Sequence, residues 1–207
     1  MTHTPLYYAV KQSQYDAAKL LINNGANMDT IKPRYFYSCK ETCFHVISLL
    51  HIAVIDNNTS IVELLLSSGF TEGSWCDNVS CVHIAIYNSN TDIIRLLYQY
   101  GVDVMRKATI KCRSCSDCYR DIDTDACYEY LDDMELTLKE GDIDVIRTVA
   151  SLQDQKGKNR MLREAYEMYK EISILKALID IGADRRVMYT SNAKYHKAVY
   201  DLINSGV

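Results

Sequence analysis

An all-α solenoid of about five helix-turn-helix units, interrupted by two long insertions, is the fold this 207-residue sequence predicts. Three observations lead there. Residues 4–26 (TPLYYAVKQSQYDAAKLLINNGA), 48–70 (SLLHIAVIDNNTSIVELLLSSGF) and 80–102 (SCVHIAIYNSNTDIIRLLYQYGV) align without gaps. Leu6, Leu50 and Val82 correspond, as do Ala9, Ala53 and Ala85, and Gly25, Gly69 and Gly101. Within each copy the apolar residues recur at helical spacing: Leu50, Ala53 and Val54 share one face, and Ile61, Leu64 and Leu65 share another.

Each copy reads as two short helices. Thr4, Ser48 and Ser80 stand where an N-cap hydroxyl is wanted, and Pro5 follows at the first helical position, where its missing N–H costs nothing. The small Ala53 lets the paired helices approach. Gly25, Gly69, Gly101 and Gly182 fall just past the second helix, where a left-handed residue closes it. Helices this short are marginal alone, so each pair must bury its apolar face against the next, and the result is a stack.

The units fall near residues 4–27, 48–71, 80–103, 132–152 and 161–184, with a partial sixth near 193–207. Two steps are too long. Gly25 to Gly69 spans 44 residues against 32 from Gly69 to Gly101, and Ser89 to Gly141, at equivalent positions, spans 52. With a unit of about 33 residues, roughly eleven and about twenty residues are extra, giving insertions near 28–47 and 106–130. Such insertions map to inter-repeat loops, often on the binding face.

Composition narrows the function. Apolar residues make up 48% and charged residues 24%, the balance of a folded globular chain. Sixteen tyrosines against three phenylalanines suit half-exposed positions where the ring packs and the hydroxyl stays wet. A net charge of −4 argues against a general nucleic-acid binder. No apolar run approaches the ~20 residues of a membrane span. The opening MTHTPLYYAVK lacks the basic and apolar regions of a signal peptide. The eight cysteines are therefore expected as reduced thiols in cytosol or nucleus.

The repeats resemble the ankyrin repeat, whose T-P-L-H-x-A signature matches Thr4-Pro5-Leu6-Tyr7-Tyr8-Ala9 in five of six places and Leu50-His51-Ile52-Ala53 in its second part. Wording such as LYYAV, VSCVHIAIYN and LLLSSGF looks like the poxviral ankyrin-repeat host-range proteins. That resemblance implies a non-enzymatic scaffold in the host-cell cytoplasm, with the nucleus as the alternative. Its partner would be a host antiviral or NF-κB-pathway protein, blocked by occlusion, with no nucleic acid, membrane, small-molecule substrate or cofactor involved. Residues 185–207 show no Leu-Pro-centred F-box-like motif, so recruitment of a ubiquitin ligase is not expected.

Two clusters invite chemistry. Cys112, Cys115, Cys118 and Cys127 are enough ligands for tetrahedral zinc, but Cys115 is shared between overlapping pairs where a strong signature keeps two separate ones. Reduced thiols in a half-packed loop are the primary reading, and a metal-stabilised binding module is the alternative. Asp121, Asp123 and Asp125 open like a calcium loop, but Ala126 stands where glycine is needed and Asp132 where a bidentate Glu is expected. A solvated acidic loop is the plainer reading. The acidic run from Asp121 to Asp133 also motivates an IκB-like inhibitor covering a transcription factor's basic segment. His51 and His83 hold one place in successive repeats, where a structural hydrogen bond explains them better than a metal. No phosphate loop, dinucleotide fingerprint or hydrolase motif occurs.

Partner-binding candidates follow from interface chemistry, which favours Trp, Tyr and Arg. Trp75 lies in the turn between the second and third units. Arg34, Tyr35, Phe36 and Tyr37 cluster in the first insertion, and Tyr87 sits on the first helix of the third unit. Tyr98 is expected to pack against a neighbouring loop. The oligomeric state is open at this level.

Overall fold

Residues 4–27, 32–34, 45–70, 80–102, 108–111, 128–168 and 170–190 are described by the computed structural model. The chain divides into two compact units, Met1–Asp133 and Met134–Val207.

The first unit is three helical pairs in a row: α1 (Pro5–Lys11) with α2 (Tyr15–Asn23), α3 (Leu49–Ile55) with α4 (Thr59–Ser67), and α5 (Cys81–Tyr87) with α6 (Thr91–Gln99). α1, α3 and α5 pack side by side as one layer, and α2, α4 and α6 as a second. Leu6, Leu50, Ala53, Val54, Val82, Ala85 and Ile86 from the first layer meet Ile61, Leu65, Ile93, Ile94 and Leu97 from the second in the core.

Local chemistry sets most of these helix ends. The Thr4, Ser48 and Ser80 hydroxyl oxygens accept the backbone N–H of Tyr7 (3.2 Å), His51 (3.3 Å) and His83 (3.3 Å). Ser13, Asn57 and Ser89 then take φ of 56°, 58° and 53° to turn each first helix into its second. Their N–H groups and those of the following residues bond back to the last turn, as in Gln14 N–H to Ala9 C=O at 2.8 Å. Asn58 and Asn90 cap α4 and α6 through Oδ1, to the N–H of Ile61 (3.1 Å) and Ile93 (2.9 Å). Gly69, at φ 80°, closes α4 in the left-handed region that disfavours any side chain.

Where long loops were expected, paired strands appear. β1 (Lys32–Arg34) runs antiparallel to β2 (His45–Ile47), with Arg34 opposite His45. β3 (Ala108–Lys111) pairs the same way with β4 (Tyr128–Leu131). Segments that leave a stack and return to it lie side by side, and pairing satisfies backbone groups that a plain loop would leave to water. The strands are stems on a fold that remains helical.

The second unit holds all of α7 (Asp133–Glu140) but its first residue, then α8 (Ile143–Leu152), α9 (Gln155–Glu167), α10 (Ile172–Asp180) and a closing 3-10 segment, Arg185–Thr190. Gly141 takes φ 76° in the α7–α8 turn, the role Ser89 has in the α5–α6 turn. The Asp142 carboxylate caps α8 through the N–H of Asp144 (3.0 Å) and Val145 (3.2 Å). Asp154 caps α9 through the N–H of Gly157 (2.7 Å). α9 and α10 pair, α8 packs on both, and the 3-10 segment closes on α9. Val145, Val149, Met161, Leu162, Leu175 and Leu178 form its core. Among the described residues no helix is long and apolar enough to cross a membrane.

Ser80→Ala removes a buried cap that also partners His83, so stability falls by about 1–2 kcal/mol, read as a lower urea midpoint at unchanged slope. At Gly157 an added Cβ would lie 2.8 Å from the Gln153 Cβ. Gly157→Ala therefore destabilises: overpacking of roughly 1–3 kcal/mol outweighs a propensity gain of about 1 kcal/mol. An unchanged or raised melting temperature would refute this.

Candidate interaction surface

The layer of first helices presents one repeated face. Tyr8 and Lys11 on α1, Ile52 and Ile55 on α3, and Ile84 and Tyr87 on α5 occupy equivalent positions one helical turn apart. They lie away from the Leu6, Ala9 and Val10 type of position that fills the core. Tyr8 is 48% exposed, Ile55, Ile84 and Tyr87 are half-buried, and Ile52 is buried. The result is an apolar stripe across three helices, edged by tyrosine hydroxyls. Tyr7 steadies Tyr8 edge-to-face, with centroids 5.6 Å apart and planes at 84°.

Polar contacts tie the helices together at their turns. Lys11 Nζ donates to both carboxylate oxygens of Asp56 at 2.7 Å, joining the first pair to the second. Asn90 Nδ2 donates to Asn57 Oδ1 (2.6 Å) and Asn88 Nδ2 to the Val54 carbonyl (3.4 Å), joining the second pair to the third. Their registry fixes the stripe before any partner arrives, which lowers the ordering cost of binding.

The repeated histidines are structural. His51 and His83 are buried, each with Nδ1 2.7 Å from the hydroxyl of its own cap serine. The Ser80 N–H also donates to His83 Nδ1 (3.2 Å), so that nitrogen accepts and the ring proton sits on Nε2. The expected bonds to capping hydroxyls and backbone are made to the serine cap that starts each unit.

Of the predicted interface residues, Tyr87 falls on the stripe. Arg34 lies in β1 with only its backbone described. Tyr35, Phe36, Tyr37, Trp75 and the cysteines 112, 115, 118 and 127 lie outside the described residues. Tyr98 is half-buried, and its hydroxyl donates to the carboxylate of Asp133, the first residue of α7, where a neighbouring loop was expected. That contact corrects the solvated reading of the acidic run at its end: Asp132 and Asp133 are both buried. A buried carboxylate needs a partner, and Tyr98, 35 residues earlier, supplies one to Asp133. Neither residue adds to an acidic surface; the calcium-loop candidates Asp121, Asp123 and Asp125 lie outside the described residues. Tyr8, Lys11, Ile55 and Ile84 were missed, although aligning the repeats column by column would have put them beside Tyr87.

A model of the ankyrin repeat matches residues 2–32, and a model of three ankyrin repeats matches residues 38–108. Those residues carry ankyrin repeats. No curated protein sequence matches it as a relative. Among solved structures it is similar to the ankyrin repeat domain of Bcl-3, a unique member of the IκB protein family, at 19% identity and a TM-score of 0.57, over 97% of this chain and 83% of that one. At that identity the likeness is one of fold. In all, 236 chains of solved structures match.

Lys11 and Asp56 keep about a third and a quarter of their side-chain surface in water. Screening limits such a pair, so Lys11→Ala costs less than about 1 kcal/mol, and the cost fades at high salt. A loss that persists in 1 M salt, where the Debye length is about 3 Å, would show packing of the lysine stem instead.

Proposed function

We propose that this chain is a non-enzymatic scaffold that binds a host protein and blocks it by occlusion, in the manner of the poxviral ankyrin-repeat host-range proteins its repeats resemble. The observation that carries the reading is the stripe of Tyr8, Ile55, Ile84 and Tyr87, held in register by polar contacts between successive pairs. Such a surface offers rigid aromatic and aliphatic anchors and no reactive group. Ankyrin repeats are interaction modules, and a protein partner is what this stripe suits. The partner is a host antiviral or NF-κB-pathway protein, met in the cytoplasm or, alternatively, in the nucleus. The first-insertion residues Arg34, Tyr35, Phe36 and Tyr37, and Trp75 in the turn between the second and third units, would extend the contact.

An IκB-like inhibitor remains the second reading, favoured by the likeness to an IκB-family ankyrin domain. It has lost part of its original motive, because Asp132 and Asp133 are buried.

The test is affinity purification from host cells, with NF-κB-pathway proteins probed first. Tyr8→Ala with Tyr87→Ala should weaken capture of the true partner at least about tenfold, as truncation of interface anchors does. Trp75→Ala tests the turn between the second and third units separately. If every bound protein survives both changes, the stripe is not the docking surface.

A further inference from the structure

One dipeptide in the first helical pair carries chemistry that its counterparts lack. Asn24–Gly25 is the sole Asn-Gly step in the sequence, and it closes α2. In the equivalent place α4 ends on Ser68–Gly69 and α6 on Tyr100–Gly101. Asn24 Nδ2 donates to the Leu20 carbonyl at 2.8 Å. Ser68 Oγ donates to the equivalent Leu64 carbonyl at 2.7 Å. Helix closure therefore gives no reason for asparagine over serine.

An asparagine before glycine is prone to cyclise, because glycine puts no side chain in the way of its own backbone nitrogen. The Gly25 nitrogen gives its proton to solvent and attacks the Asn24 Cγ. A C–N bond forms, and the side-chain amide nitrogen takes up a proton and leaves as ammonia. Water then opens the succinimide at either carbonyl, leaving aspartate or isoaspartate. The fold holds this reaction off. Ring closure needs the Gly25 nitrogen and the Asn24 Cβ on one side of the Cα–C bond, and at the observed ψ of 18° they lie toward opposite sides. The Gly25 N–H is tied to the Ile22 carbonyl (2.9 Å), and the Asn24 carboxamide points back along α2 to Leu20. Both residues are exposed, so these cap bonds alone stand between the dipeptide and water.

We propose that Asn24 is a self-modification site gated by its own cap: it deamidates when the end of α2 frays, and the product then keeps that end from closing. Local opening costs least at such helix ends. Aspartate puts a negative charge at the negative end of the α2 dipole. It also meets the Leu20 carbonyl with an acceptor where Asn24 supplies a donor. Isoaspartate lengthens the backbone inside the closing turn, where the Gly25 and Ala26 N–H groups bond the Ile22 and Leu21 carbonyls (2.9 and 3.0 Å). Loss of ammonia makes the step one-way. The inference goes beyond the docking stripe and does not depend on it.

The experiment is an ageing series of the full chain in warm, mildly alkaline buffer, with and without urea. Mass-spectrometric peptide mapping and methyltransferase labelling of isoaspartate give the readout. In urea, Asn24 should deamidate faster than every other asparagine. In native buffer its rate should fall at least about tenfold, following the open fraction. Leu21→Ala removes half-buried packing from α2 and should raise the native rate toward the urea value. Asn24→Ser can keep the back-bond seen at Ser68, so it should hold the melting temperature and show no isoaspartate at this position. The deamidated fraction should melt below Asn24→Ser. Equal rates in native buffer and urea overturn the proposal. So does another asparagine leading in urea, or a deamidated chain that melts with the unmodified one.

Discussion

A seven-residue α-helix is almost all ends. Four N–H groups at its start and four C=O groups at its finish have no partner inside it, and α1, α3 and α5 are each seven residues long. The first layer of this protein can exist only if those ends are closed from outside the helix. The Thr4, Ser48 and Ser80 hydroxyls close the starts, and the left-handed turns at Ser13, Asn57 and Ser89 close the finishes. The capping histidines strengthen the same joint, with His83 and Ser80 bonding each other in both directions. Each helix then brings its few apolar residues to the core without a buried, unanswered backbone.

The stripe on the first layer follows from this constraint. When caps and turns repeat at one position in each unit, the exposed residues between them repeat too. Tyr8, Ile84 and the Lys11–Tyr87 row therefore line up without any long-range design of the surface. The second unit meets the same demand with other chemistry: carboxylates at Asp142 and Asp154 cap α8 and α9 where asparagine caps α4 and α6. A carboxylate at a helix start also answers the dipole. In α9 the lone Asp154 does so against several cations that follow it.

Much of the fold was legible because its signals are local. A hydroxyl before an apolar run, a proline at the first helical position and a glycine past the last turn act within about four residues. Three clear copies let each signal be read three times. The candidate site was legible only in part: Tyr87 stood out as an aromatic, but Tyr8, Ile55 and Ile84 look like core residues until their neighbours show which face is filled. The buried end of the acidic run was not legible at all. Asp132 and Asp133 continue a string of aspartates, and nothing beside them in the chain names Tyr98 as a partner.

By itself, then, the sequence determined where the helices of the three clear copies start and stop, which residues repeat, and that the pairs must stack. Tertiary structure alone decided the Lys11–Asp56 and Asn57–Asn90 links, the burial of Asp133 under Tyr98, the strand pairs at the two insertions, and the meeting of Arg185 and Arg186 with α9. The physical reason is range. Capping and helical periodicity act between residues a turn apart, whereas each of these contacts joins segments brought together only once the stack has formed.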